Sequence, residues 1–131
     1  MPSIFLFYLH KRVYACVYGF IYMIEFKTSS DIPHDFTGVY KIISTGNIYH
    51  VKDGKLHNEN GPSVIYKSGT EFWYINGLEH REDGPSTEYC DGSKSWFYKD
   101  TCYGCNDDFT EITWKEKVEY LKREEELKIF I

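Results

Sequence analysis

The chain has 131 residues and a formal net charge of −5, enough for one domain and too short for a two-domain enzyme. Hydrophobic residues make up 42% and charged residues 27%, a balance that supports a packed core and excludes wholesale disorder. Aromatic residues reach 18%, with 12 Tyr, 9 Phe and 3 Trp against the lone alanine Ala15, so strands are favoured, a helical bundle is excluded, and the acidic balance disfavours nucleic-acid backbone.

Residues 1–22 differ in composition from the remainder of the chain. The apolar runs Ile4 to Leu9 and Val13 to Ile24 are split by His10, Lys11 and Arg12. Neither reaches the roughly 18–20 residues of a membrane span, so no stable membrane insertion is expected. The charge lies between the runs rather than ahead of them, unlike a secretory signal. Three readings of this leader stay open: translation beginning at Met23, a membrane-associating segment, or an extra strand or helix.

Residues 23–109 carry an internal repeat. Residues 45–67 set over 68–90 give identities at Gly46/Gly69, Gly54/Gly77, His57/His80, Glu59/Glu82, Gly61/Gly84, Pro62/Pro85, Ser63/Ser86 and Tyr66/Tyr89, a 23-residue offset without a gap. A half copy precedes them at His34 and Gly38, and a degenerate third copy comes after them through Gly92, Trp96 and Phe97. Asp53-Gly54 and Asn76-Gly77 suit the two positive-φ positions of a type I′ hairpin turn. Each copy therefore reads as strand, tight turn, short strand, HxxxGP loop and strand. Such a unit cannot bury a face alone, so the copies are expected to continue one antiparallel meander sheet. Period-2 alternation places His50, Trp73 and Trp96 with Lys52, Ile75 and Tyr98 on one face, and Tyr49, Phe72 and Ser95 with Val51, Tyr74 and Phe97 on the other.

Residues 110–131 are expected to form a capping helix and a tail. The helical pattern spans 109–128, with a capping box from Asp108 to Glu111 and an apolar stripe of Trp114, Val118 and Leu121 that would pack onto the end of the sheet. Glu111–Lys115, Glu119–Arg123 and Glu124–Lys128 are favourably ordered i,i+4 pairs. Ile129, Phe130 and Ile131 either dock back on the sheet or meet a partner.

The residues with chemical potential have structural readings beside them. His57 and His80, followed by Glu59 and Glu82, resemble acid–base or metal pairs, but recurrence once per copy suits a loop in which His57, Gly61, Pro62, His80, Gly84 and Pro85 redirect the chain. Cys102 and Cys105 have CxxC spacing, with Cys90 and His80 upstream. A four-ligand zinc set of His80, Cys90, Cys102 and Cys105 is therefore an alternative, making the chain a small zinc module or metal-dependent enzyme. The first reading has no cofactor, no metal and no catalytic residue, because no triad, nucleophile elbow, P-loop or dinucleotide fingerprint is present.

The GKLHNENGP and GLEHREDGP segments, with their Gly and aromatic punctuation, resemble divergent MORN-like repeats of tailed phages and large DNA viruses over about residues 34–109. That resemblance implies a mainly β repeat sheet that presents a surface to another protein, here an accessory protein that binds and modulates a host enzyme or defence factor in the host cytoplasm. The regular GxGxxxxxxG spacing of better-known MORN proteins is lacking, so their lipid-binding and tethering roles do not carry over. The expected binding residues are Trp73, Trp96 and Tyr98 on an aromatic face, and Glu82, Asp83 and Glu88 on an acidic one. The oligomeric state stays open.

Overall fold

The computed structural model describes residues 16–18 and 21–130. Most of the apolar leader, and Ile131 of the tail, lie outside the described residues. The strands are β1 (Cys16–Tyr18), β2 (Ile21–Phe26), β3 (Gly38–Ile42), β4 (Ile48–Lys52), β5 (Lys55–Leu56), β6 (Val64–Ile65), β7 (Glu71–Phe72), β8 (Tyr74–Ile75), β9 (Leu78–Glu79), β10 (Thr87–Glu88), β11 (Lys94–Tyr98) and β12 (Thr101–Cys105). The helix α1 (Glu111–Lys128) comes after them.

The protein is mainly β. A 10-stranded sheet runs β1-β2-β3-β4-β6-β7-β10-β11-β12, with β5 paired to β4, while β8 and β9 form a separate two-stranded ladder. Pairing is mostly antiparallel, with one correction to the expected meander: β2 and β3 are parallel, in register from Met23↔Val39 to Phe26↔Ile42. The cause lies in residues 27–37. A short 3-10 turn at Ser29–Asp31 and the apolar Ile32 and Phe36 fill a crossover, so β3 starts again from the same end as β2.

The local bonds explain the shortness of the central strands. Equivalent backbone bonds recur 23 residues apart: His50 N–H donates to the Ser63 carbonyl and Trp73 N–H to that of Ser86 (2.7 and 2.8 Å), while Gly77 N–H donates to Leu56 and Asp100 N–H to Glu79 (2.8 and 2.9 Å). The turns Asp53-Gly54 and Asn76-Gly77 have positive φ at both residues, and so does Lys99-Asp100, with φ of 47° and 66°. Gly54 has a second constraint, because a Cβ there would lie 1.8 Å from the His34 carbonyl oxygen.

Two apolar clusters anchor the two ends of the sheet. Phe26, Phe36, Tyr40, Ile42 and Val51 form one, with the three rings packed edge to face at 5.7 to 5.8 Å. Trp96, Tyr98, Trp114 and Val118 form the other, beneath α1. Between them the buried side chains include small hydroxyls, Ser63, Thr70, Ser86 and Thr87. Their polarity is satisfied locally: Ser63 donates to the Phe72 carbonyl, and Ser86 and Thr87 donate to the Glu79 carboxylate at 2.8 and 2.6 Å.

Helix α1 ends at Lys128, as the periodicity implied, but differs from expectation at its start. Its N-cap is Thr110, whose hydroxyl accepts from Thr113 N–H; Asp108 instead accepts from Cys105 N–H at 2.8 Å. Phe109 extends from the strand side into the Trp96–Trp114 cluster, which starts the helix later than the periodicity implied. The tail residues Ile129 and Phe130 are exposed rather than docked on the sheet.

Candidate functional site

The loops after β5 and β9 have the same internal frame. In the first, Asn76 N–H donates to His57 Nδ1 at 3.0 Å and the Asn58 amide donates to the Pro62 carbonyl at 2.9 Å. In the second, Lys99 N–H donates to His80 Nδ1 at 3.2 Å and the Arg81 guanidinium donates to the Pro85 carbonyl at 3.1 Å. Each His thus ties its loop to the first positive-φ residue of the next hairpin turn. Because Nδ1 accepts, the ring proton sits on Nε2, facing Glu59 at 3.5 Å and Glu82 at 3.3 Å. Both nitrogens of His80 are hydrogen-bonded, so that ring is not poised for proton transfer to a substrate, whereas His57 is held firmly at Nδ1 alone. Gly84 and Pro85 are buried and Gly61 and Pro62 half-buried, the positions from which the chain turns into Ser63 and Ser86.

Between the two loops lies an open groove with a volume of about 630 Å³. It is lined by Asn58, Glu59 and Gly61 on one side and by His80, Arg81, Glu82 and Asp83 on the other, with Trp73 and Ile75 between. Arg81 lies over the Trp73 ring, its guanidinium carbon 4.0 Å from the centroid. The same guanidinium donates to Asp83 at 2.9 Å and Glu88 at 2.8 Å. From the helix, the Lys122 ammonium donates to Glu82, and the Trp114 indole donates to the Arg81 carbonyl at 2.8 Å.

These contacts set the charge states. The Arg81 hydrogen bond holds the Asp83 carboxyl below the usual carboxylate range, against slight burial. Burial alone would raise Glu82, but Lys122 and His80 together outweigh it and bring it down. Burial pushes the His80 imidazole below its ordinary value, helped by Lys99 and Lys122 and opposed by Glu82.

Trp73, Asp83 and Glu88, expected from the sequence on two separate faces, therefore meet around the Arg81 cation, while Glu82 beside them pairs with Lys122 and His80. Trp96 and Tyr98 do not join them. At 2% and 4% exposure they are core beneath α1, because the stripe of Trp114 and Val118 covers that end of the face. The zinc alternative is also corrected: among the described residues no group of three or more His, Cys, Asp or Glu could hold a metal. His80 is bound up in its loop, whereas Cys90, Cys102 and Cys105 are exposed free thiols. Cys102 and Cys105 lie along β12, separated by its bulge, so CxxC spacing there spans an extended strand rather than a tight turn.

Sequence reading missed Arg81, the hub of the site. Its signal was a single cation inside HREDG, at the offset where the first copy has Asn58. It also missed a partly exposed ring strip on the other face, Tyr66–Phe72–Tyr89, with centroids 5.0 and 6.4 Å apart. The fold and groove define a mainly β protein with a C-terminal helix and an aromatic, charge-lined cleft. No protein-family model matches the chain, and no curated protein or solved structure matches it. Among the described residues, no helix is long and apolar enough to cross a membrane.

Proposed function

We propose that the chain is a non-enzymatic protein-interaction module, built from MORN-like hairpin repeats, that docks its partner in the groove around Trp73. One observation carries this reading: a half-buried tryptophan, a guanidinium and the carboxylates Glu59, Glu82 and Asp83 converge on an open concavity while the flanking histidines are spent on holding the loops. Aromatic and arginine side chains are the groups that most often dominate protein interfaces. On the viral resemblance, the partner is a host enzyme or defence factor met in the host cytoplasm.

The test is capture from host lysate by the immobilised protein, with bound chains identified by mass spectrometry. Trp73→Ala and the Glu82→Lys, Asp83→Lys pair should lose a captured protein that an Ile112→Ala control, altered on the outer helix face, retains. Identical capture by folded groove variants would refute the site.

A further inference from the structure

Resting on that groove reading, we infer that the groove receives a basic protein segment, with an arginine or lysine side chain set against Glu59 and Trp73. The protein already displays the required chemistry within itself. Arg81 occupies a seat made of the Trp73 ring, the Asp83 and Glu88 carboxylates and the Pro85 carbonyl. One repeat earlier the same loop frame holds Asn58 in place of that arginine. Glu59 aligns with Glu82, whose cation is Lys122 of α1; among the described residues no cation reaches Glu59, which has only the His57 ring at 3.5 Å and a side chain 73% exposed on the groove wall.

A second observation sets Trp73 apart. The indole N–H groups of Trp96 and Trp114 donate to the carbonyls of Asn106 and Arg81. No hydrogen bond from Trp73 Nε1 is formed among the described residues, so it can donate to a carbonyl of an incoming backbone. A segment with a cationic side chain and a free backbone carbonyl satisfies both groups at once. The protein's own cations also compete for this wall. Lys122 sits on Glu82, in an exposed ion pair of the kind that solvent weakens and a partner can exchange.

The probe is a capped peptide, acetyl-GRRGRRG-amide, titrated at low salt while tryptophan fluorescence is followed, with a glutamine-for-arginine peptide as the neutral arm. The arginine peptide should bind and weaken as salt rises, and the glutamine peptide should not bind. Glu59→Gln should weaken binding about threefold or more, whereas Lys122→Met, by freeing Glu82, should tighten it by a similar factor. A role confined to folding would move both variants in the same direction; thermal midpoints separate that effect. Equal binding of the two peptides, or a Kd unmoved by Glu59→Gln, overturns the inference. The groove reading itself would then still be decided by whether Trp73→Ala loses its captured partner.

Discussion

For single residues, backbone conformation and proton placement do most to hold the site. Gly54 combines φ of 75° with the approach of the His34 carbonyl, whereas Gly92, at φ of 89°, has nothing within 4 Å of a built Cβ. Gly54→Ala should therefore cost about 2 to 5 kcal/mol, and Gly92→Ala only about 1 kcal/mol from left-handed strain alone, as read by urea denaturation. His80 supplies a pH dependence whose sign comes from its contacts. Its folded pKa lies below the unfolded value of about 6.5, so the unfolded chain binds the proton more readily. Stability from this group is complete above that pH and is lost as pH falls through the folded pKa, when protonated Nδ1 can no longer accept from Lys99. His50 shifts in the same direction through burial. Unfolding free energy should thus fall on acidification below about pH 6.5, and His80→Gln should show a shallower fall; an unchanged slope would remove His80 from the account.

Among the elements, α1 is held by one buried ring and trimmed by surface charge. Trp114 is fully buried against Trp96 and Phe109, and it donates to the backbone of the groove loop. Trp114→Ala should destabilise by about 3 to 5 kcal/mol in chemical denaturation, from the cavity and the orphaned carbonyl together. Lys122→Met, which removes only an exposed ion pair, should cost about 0.5 kcal/mol or less. The helix was legible from the stripe of Trp114, Val118 and Leu121, because apolar spacing at three and four residues gathers side chains on one face of a helix and scatters them over both faces of a strand. Its cap was not. Thr110 and Asp108 are both good cap residues, and the choice fell to Thr110 once Asp108 was drawn to the Cys105 amide.

Across the molecule, two apolar clusters stand at opposite ends of a sheet whose middle holds buried hydroxyls. Hydrogen bonding through Ser63, Ser86, Thr87 and Glu79 supplies the continuity between the ends. Since every tryptophan lies in residues 73–114, fluorescence reports the α1 end, while amide exchange at Tyr40 and Val51 reports the other. If the polar middle couples the ends, both probes should give one unfolding free energy; a protected Tyr40 end surviving loss of the tryptophan signal would show two independently folding halves.

Features that depend on local chemistry and spacing could be read from the amino acids alone. The strand bias of the rings, the positive-φ turns at Asp53-Gly54 and Asn76-Gly77, and the amphipathic helix all arise from side-chain sterics and period. Features that depend on which face is covered were settled only when distant segments packed. Trp73 and Trp96 occupy equivalent positions at the 23-residue offset, yet α1 buries one and leaves the other on a groove. Packing also made β3 run parallel to β2, and let Arg81 collect Trp73, Asp83 and Glu88 into one site. Periodicity assigns a side chain to a face; contact between segments far apart in the chain decides whether that face meets protein or water.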